Sequence, residues 1–235
     1  MAKAKPVSAS REGRSAGSGS SLDSPAARKA APRGKATRAD KSALRRDAIL
    51  AAALEEFSAR GYAAARLEDV AQRAGVGKGT IYLHFRDKET LFQELVTTML
   101  VPFIANIEAA PPADLPIRLV LERLLDLFVR EIYGTERRQL IRLVMTEGPR
   151  FPQLAEFHYR HVVARAMVAM RALLDAAHRR GELRNDALVR FPQLVIAPGL
   201  MAVVWSGLFD RFATLDVAAL MRAHLDLIFG TGEAP

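Results

Sequence analysis

Residues 67–92, LEDVAQRAGVGKGTIYLHFRDKETLF, constrain the fold of this chain more than any other segment. Leu67, Val70 and Ala74 recur at three- and four-residue spacing, which places them on one apolar face of a short helix. Gly75 follows directly and can adopt the left-handed backbone conformation that ends a helix. A second short helix comes next, and the pair predicts a helix-turn-helix, which reads DNA through its second helix.

The second helix, KGTIYLHF, is expected to carry the DNA-contacting side chains. Ile81 and Phe85 lie four residues apart and predict its buried face, so the other side chains point outward or flank its start. Lys78 offers charge to phosphate or guanine, and Gly79 lets the helix approach the groove closely. The predicted DNA-binding residues are Gly77, Lys78, Gly79, Thr80, Tyr82, Leu83 and His84 here, with Arg45, Arg46, Arg66 and Lys88 from the flanking segments.

The preceding segment predicts a first helix that begins near residue 40 or 42 and ends at Arg60, with Gly61 as its stop. Its apolar stripe would pack against the helix-turn-helix. Arg45 and Arg46 lie near its exposed start, where they suit either phosphate contact or an ordinary solvated surface.

A long helix is predicted to follow the recognition helix without a linker. Asp87 can cap its first turn, and Lys88 in that turn sits where a phosphate could lie. The helix continues toward Ile107 and would form a rigid connector to the rest of the chain. A guest bound among the later helices could then tilt this connector and change the spacing of two recognition helices.

Residues 46–95 resemble the N-terminal domain of TetR-family transcriptional regulators, with AILAAALEEFSARGY, LEDVAQRAGVGKGTIYLHF and KETLF in the family's order and spacing. The resemblance implies an all-helical, repressor-like dimer whose C-terminal domain binds a small molecule. The chain departs from the family pattern at three places. Ala65 and Arg66 replace a common Thr or Ser pair, Gly77 replaces a common serine cap, and Leu83 replaces a polar or aromatic residue.

The excess positive charge is concentrated at the N-terminus. The chain has a formal net charge of +8, but residues 1–46 contain 12 Lys or Arg against three acids, and the remainder is nearly neutral. Residues 1–39 have few bulky aliphatics, so we expect a disordered basic tail. It suits a phosphate-following arm on DNA, a solvated extension or, less readily, a transit peptide.

Composition excludes several classes of protein. The 235 residues contain no cysteine, which excludes disulfides and thiolate chemistry and agrees with a cytoplasmic location. No uninterrupted apolar run suggests a membrane span, so no membrane partner is expected. The motifs of common hydrolases, nucleotide-binding enzymes and zinc proteases are absent, which argues against an enzyme, and no cofactor is expected.

The rest of the chain predicts further helices and no strands. Asp114 can cap a helix after the Pro-Pro segment, and apolar periodicity then predicts helices over about 119–132, 135–147 and 153–180. The fold class is therefore all-α: a three-helix DNA-binding domain over residues 40–87 and a helical ligand-binding and dimerisation domain over 88–235. Pro198 should kink a later helix.

The last two helices are the predicted dimer surface. Residues 191–212 are almost free of charge, and residues 215–229 form a second apolar helix. In a two-fold dimer this pair would meet its copy, as the family resemblance also implies. A dimer would place two recognition helices one DNA turn apart on a palindromic operator in double-stranded DNA. The alternative is that these helices are the core of a monomer.

Aromatic and methionine side chains of the C-terminal half are candidates for the pocket of an unknown small-molecule effector. Such residues more often form ordinary core. His158 and His161 have a spacing that could hold a metal, but no third ligand is near, so no metal is expected. Arg150 and Arg165 suit either an anionic guest or surface ion pairs. The candidate pocket residues are Phe103, Phe128, Phe157, His161, Met167, Met170 and Trp205.

Two functions remain open on the sequence alone. One is a homodimeric repressor released from a palindromic operator by a small molecule. The other is an architectural protein that binds DNA without sequence preference through its basic tail and has no ligand switch. They differ in salt dependence, because binding through the tail would be almost entirely counterion release.

Overall fold

A computed structural model describes residues 37–109 and 115–230, and every regular element in these ranges is helical, which confirms the all-α fold class. The predicted tail up to residue 36 and the cap predicted at Asp114 lie outside the described residues. The helices are α1 (Arg38–Ala64), α2 (Leu67–Arg73), α3 (Lys78–His84), α4 (Lys88–Met99), α5 (Val101–Glu108), α6 (Ile117–Phe128), α7 (Arg137–Glu147), α8 (Pro152–His158), α9 (Ala164–Arg179), α10 (Ala187–Arg190), α11 (Gln193–Leu208) and α12 (Val217–Phe229). Two π-helical turns, Val129–Tyr133 and Tyr159–Val163, extend α6 and join α8 to α9.

Helix α1 begins earlier than predicted because Thr37 caps it. The Asp40 backbone N–H donates to Thr37 Oγ1 at 3.1 Å, and the Thr37 backbone N–H donates to Asp40 Oδ2 at 2.8 Å. This reciprocal capping box satisfies two donors that the helix start would leave open. At the other end Gly61 has φ +75°, so the predicted stop is a break in the helix, followed by a last turn to Ala64.

The helix-turn-helix has the predicted limits. Helix α2 buries Leu67, Val70 and Ala71, and α3 buries Ile81. Between them Gly75 takes φ +67°, and the Val76 and Gly75 N–H groups donate to the carbonyls of Ala71 and Gln72. These two bonds close the end of α2 as in a Schellman motif, which requires the left-handed conformation that glycine adopts at little cost.

A buried carboxylate fixes α2 against α1. Glu56 on α1 is only 1% exposed, and Arg73 in the last turn of α2 donates to its Oε2 from Nη2 at 2.9 Å and from Nε at 3.3 Å. Arg60 Nε lies 3.0 Å from Glu56 Oε1, but that oxygen accepts no hydrogen bond. An unpaired buried charge is strongly destabilising, so Arg73 must stay beside Glu56. This holds the end of α2 against α1.

Helix α1 runs through the centre of the first core. Ile49, Ala53 and Phe57 form one fully buried row along it, as the apolar stripe predicted. The helix packs against α2, α4 and α7, so the DNA-reading helices and the C-terminal half share a continuous core. A second core joins α6, α9, α11 and α12 around Leu121 and Leu174.

The predicted rigid connector is divided into two helices. Helix α4 ends at Met99, α5 begins at Val101, and Leu100 between them has φ −108°. The physical reason is Pro102, which has no N–H to donate to the Thr98 carbonyl and so interrupts the helical hydrogen-bond ladder in this turn. The prediction of one unbroken helix toward Ile107 was therefore wrong.

By length and average composition, Lys88–Glu108 is apolar enough to cross a membrane, contrary to the expectation that no segment would reach that length. In this fold the segment supplies core packing. Leu91, Phe92 and Leu95 are fully buried against the first core, and Ile104 continues the same face in α5. Buried core helices pass the same test, so this finding is weak evidence for a membrane span.

The helix predicted over 153–180 is regular only at its ends. At its centre the Ala164 N–H donates to the Tyr159 carbonyl, five residues back, in place of the usual four. The same pattern follows α6, where the Gly134 N–H donates to the Val129 carbonyl at 2.8 Å. Each π-helical turn inserts one residue into the helical repeat, so the faces before and after it differ from those of a continuous α-helix.

Replacing Arg73 with Ala should lower the free energy of unfolding by about 3 kcal/mol, because Glu56 would remain buried with only Arg60 beside it. Urea denaturation followed by circular dichroism measures the change. Arg179→Ala is the matched control: its exposed pair with Asp175 lies within one helix, and its loss should cost about 0.5 kcal/mol or less. Equal midpoints for the two variants would contradict the role of Arg73.

Candidate DNA-binding surface and effector cavity

Helix α3 presents a narrow exposed face. The Leu83 side chain is 85% exposed and that of Tyr82 45%, whereas Ile81 and Phe85 are buried in the first core. Lys78 at the start of the helix has a side chain that is 70% exposed. This placement agrees with the division into inward and outward residues that the spacing predicted.

A carboxylate that the sequence did not predict lies at this face. Glu68 in the first turn of α2 accepts a hydrogen bond from the Tyr82 hydroxyl at 2.9 Å, and the same oxygen lies 3.0 Å from Lys78 Nζ. The two principal polar groups of α3 are thus tied to one oxygen on α2. The apolar spacing of α2 places Glu68 on its polar face, and nothing local in the sequence shows that the turn brings it beside α3.

The charge state of this group is fixed at neutral pH. Hydrogen bonds from Lys78, from its own backbone N–H and from Tyr82 lower the pKa of Glu68 to about 2. The hydrogen bond to Glu68 in turn raises the pKa of Lys78 and that of Tyr82. Glu68 therefore stays ionised, and any phosphate that approaches Lys78 or Tyr82 competes with it.

Lys88 is engaged inside the protein. Its Nζ donates to the carbonyls of Tyr62 and Ala63 at 2.9 and 3.0 Å and lies 4.6 Å from the centre of the Tyr62 ring. These are the open carbonyls at the end of α1, which a lysine ammonium can satisfy. Lys88 thus joins the start of α4 to the end of α1, and phosphate contact at this residue stays a prediction.

The predicted flanking arginines differ in their surroundings. Arg46 pairs with Glu94 of α4 at 2.6 Å, whereas Arg45 is exposed. Arg66 is the N-cap residue of α2, and its exposed side chain makes no capping hydrogen bond. Arg45 and Arg66 are the more available to a phosphate, and Arg46 would first have to leave Glu94.

The remaining predicted residues of α3 leave room for a close approach. Gly77 is its N-cap, and a Cβ added at Gly79 would meet nothing within 4 Å. Thr80 and His84 are half-buried, so they reach the exposed face only in part. A DNA groove can therefore come closest to α3 at the start of the helix, where the first backbone N–H groups have no hydrogen-bond partner within the helix.

An apolar cavity of about 130 Å³ lies among the C-terminal helices. Three of the predicted pocket residues, Phe103, Phe128 and Met167, line it. Both π-helical turns contribute to its wall, through Ile132 from one and Val162 and Val163 from the other. Leu100, at the break between α4 and α5, also lines it, so the cavity contacts the connector directly.

Four predicted pocket residues do not line this cavity. Met170 is buried in the second core, and Trp205 donates from Nε1 to the Ala213 carbonyl at 2.7 Å. Phe157 and His161 stack on each other with ring centres 4.0 Å apart, and His161 Nδ1 lies 2.9 Å from the Phe157 carbonyl oxygen. Each of the four already has a packing partner, and effector contact at these residues stays a prediction.

The polar group of the cavity is His158, considered above only as a metal ligand. Desolvation lowers its pKa to about 4, so the ring is neutral at pH 7, and its buried Nδ1 has no hydrogen-bond partner among the described residues. No cluster suitable for a metal ion occurs in the described ranges. The signal in the sequence was the spacing of His158, Val162 and Ala166, which places them on one helical face.

The two arginines proposed for an anionic guest lie elsewhere. Arg165 makes two hydrogen bonds to Glu108, at 2.8 and 2.6 Å, and thus forms the surface ion pair that was the alternative. The Arg150 guanidinium lies 5.6 Å from the centre of the Phe151 ring. Neither residue lines the apolar cavity.

Comparison with protein families gives two matches. The model described as "Bacterial regulatory proteins, tetR family" matches residues 49–95, which contain the helix-turn-helix. A second model, "AefR-like transcriptional repressor, C-terminal domain", matches residues 119–190.

Individual relatives agree with these matches. The HTH-type transcriptional regulator UidR of Escherichia coli is 30% identical over 146 residues, which cover 60% of this chain and 70% of UidR. The uncharacterised regulator YhgD of Bacillus subtilis is 41% identical over 81 residues, but these span only 42% of YhgD and 34% of this chain. The structure of FadR from Bacillus subtilis with stearoyl-CoA superposes with a TM-score of 0.62 at 21% identity, over 79% of this chain and 98% of FadR, which supports the fold.

Replacing Glu68 with Gln should strengthen binding to duplex DNA roughly fivefold, equivalent to about 1 kcal/mol. The substitution frees Lys78 and Tyr82 for phosphate and removes a negative charge from the surface. Fluorescence anisotropy at fixed salt measures the affinity. Glu156→Gln, which makes the same charge change in an exposed pair on α8, should leave it unchanged. Weaker binding by Glu68→Gln would instead mean that the carboxylate holds α3 ready for DNA.

Proposed function

Since this chain belongs to the TetR family of helix-turn-helix transcriptional regulators, we propose that it is a homodimeric repressor that a small molecule releases from a palindromic operator. The match to the C-terminal domain of a transcriptional repressor supports repression over activation. The observation that carries the proposal is the exposed face of α3, with Lys78, Tyr82 and Leu83 outward and Ile81 and Phe85 buried.

The proposed DNA contacts follow from that face. Lys78 and Tyr82 exchange Glu68 for phosphate oxygens, and Leu83 is exposed enough to contact a thymine methyl group in the major groove. Arg45 and Arg66 add phosphate contacts that fix the register of the helix. Base preference then depends chiefly on Leu83, and Gly79 in the first turn of α3 admits close approach of the helix to the groove.

The proposed dimer surface is formed by α11, α12 and the segments beside them. Its support is a group of large apolar side chains that this single chain leaves exposed, which is unusual unless a partner covers them. The group consists of Phe191, Leu194, Leu200, Met201, Leu208, Phe209, Phe212 and Leu227. A four-helix contact of this kind would set the spacing of the two copies of α3.

The proposed effector occupies the apolar cavity. The neutral ring of His158 is its main polar group, so the expected guest is uncharged and largely apolar, with one hydrogen-bonding group. A guest there would contact Leu100 at the connector break and Phe103 in the first turn of α5. Pressure at this break would tilt α4 and alter the spacing of the recognition helices, which requires about 1–3 kcal/mol of coupling.

Domain limits and location belong to the same proposal. We place the DNA-binding domain at residues 40–87 and the effector and dimer domain at 88–235, and expect the protein to act in the cytoplasm on double-stranded DNA. The competing function is DNA association without sequence preference through the basic N-terminal residues, whose structure lies outside the described ranges. The experiment below separates the two functions.

Selection from a random duplex library should yield a palindrome whose half-sites lie about one helical turn or more apart. The full chain and a chain starting at Thr37, where the α1 cap begins, should select the same sequence at low and at near-physiological salt. If no shared motif emerged and binding vanished with the N-terminal residues or with added salt, association would be nonspecific.

Filling the cavity should block a small apolar guest without changing operator binding. Indole, an uncharged ring with one N–H donor, fits a space of about 130 Å³ and serves as the probe. We expect Ala166→Leu to weaken indole binding at least tenfold in calorimetric titration, because Ala166 lines the cavity. Val168→Leu, on an exposed position of the same helix, is the control. Equal affinities would place the guest elsewhere.

A further inference from the structure

A second, polar cleft lies between α1, α7 and α11. We call it the junction cleft; it has a volume of about 400 Å³ and shares no lining residue with the apolar cavity. Its walls include Ser58 and Gly61 from α1, Arg138 and Arg142 from α7, and Ser206 from α11. Its size is within the ordinary range for small-molecule sites.

Arg142 is a cation of the junction cleft with an unsatisfied hydrogen-bond donor. Its Nη2 donates to Ser206 Oγ at 3.3 Å, while its Nε is buried and has no hydrogen-bond partner. Within residues 37–109 and 115–230 no carboxylate pairs with Arg142 or with Arg138. A guanidinium that is partly removed from water and has one N–H group without an acceptor lowers the stability of the fold. A bound anion would supply the missing acceptor.

Two glycines keep the junction cleft open. A Cβ at Gly207 would lie 2.7 Å from Arg142 Nε, so the guanidinium rests against the bare backbone of α11. At Gly61, a Cβ would lie 2.6 Å from Glu147 Oε1, and the backbone has φ +75°. Larger residues at either position would displace the charged groups that line the cleft.

The charged residues that line the junction cleft carry a net positive charge, which favours an anionic ligand. Arg138 and Arg142 face one acidic group, Glu147, among the lining residues. Arg138 also donates to the Tyr133 carbonyl at 3.3 Å, which leaves other N–H groups of its fork for a ligand. Guanidinium forks match carboxylate and phosphate groups, both of which accept two parallel hydrogen bonds.

We propose that the junction cleft binds a small anion carrying a carboxylate or phosphate group. Such an anion would contact α1, which holds the helix-turn-helix, and α7, which packs directly against α1. It would therefore act as a second effector, at a site separate from the apolar cavity. Binding of the anion is independent of the function proposed above, and only its effect on the operator rests on that function.

Calorimetric titration of the full chain with inorganic phosphate and with succinate tests the site, at an ionic strength held constant with sodium chloride. We expect saturable binding of at least one of the two anions, and which one binds distinguishes phosphate from carboxylate. Arg142→Met should weaken that binding at least tenfold. Arg160→Met, which removes an equivalent charge from the exposed pair that Arg160 in the second π-helical turn makes with Glu156 of α8, should bind like the original chain.

Gly207→Ala provides a second test that keeps every charge. Alanine is a better helix former than glycine, so the fold should survive, but its methyl group would push the Arg142 guanidinium aside. We expect weakened anion binding with an unchanged unfolding midpoint. Absence of saturable binding of either anion by the original chain would overturn the proposal, as would equal affinities of Arg142→Met and Arg160→Met.

The effect on DNA is measured separately, with the selected operator and the anion that binds. We expect the anion to change operator affinity roughly fivefold or more relative to chloride at equal ionic strength, and to have no such effect on Arg142→Met. Anion binding without this change would overturn the regulatory part and leave the site in place. Failure to find any operator would count against the repressor function, not against the anion site.

Discussion

The ion pair between Glu56 and Arg73 is the contact on which the geometry of the DNA-reading helices depends. A carboxylate on the buried face of α1 can be tolerated only with a cation beside it, and Arg73 at the end of α2 supplies that cation. The end of α2 therefore has a fixed position, and the tight turn at Gly75 transmits this position to α3. The charge that looks least suited to a core thus helps to hold α3 in place, while burial of Ile81 and Phe85 sets which of its faces is exposed.

The sequence predicted the helix-turn-helix well because its signals are local. The spacing of Leu67 and Val70 and the glycine at position 75 act within one turn of the chain, and the structure has the same helices. The predicted unbroken connector failed although Pro102 was visible, since apolar periodicity continued past it. The residues that line the cavity were harder to predict, because they depend on how helices distant in sequence pack together. They also depend on which side chains already have other partners, as Trp205 has in the Ala213 carbonyl.

Glu68 and His158 show the same limit at the candidate sites. Each has an ordinary position on its own helix, and its role appears only when a second helix is beside it. Glu68 meets Lys78 and Tyr82 across the turn, while His158 faces a cavity built from five separate segments. The apolar cavity borders the break in the connector, and the junction cleft borders α1, so the two sites would reach the same DNA-reading helices by different routes.

The π-helical turn at Tyr159–Val163 is a place where one wall of the cavity can change while the flanking helices stay in place. Its wide turn takes up one extra residue, so loss of one residue there would restore a normal α-helix with α8 and α9 in nearly the same relative orientation. The change would be confined to the turn itself, where Val162 and Val163 line the cavity, and Met167 in α9 would keep its place. A single codon deletion would thus reshape one part of the wall and leave the packing of both neighbouring helices as it is.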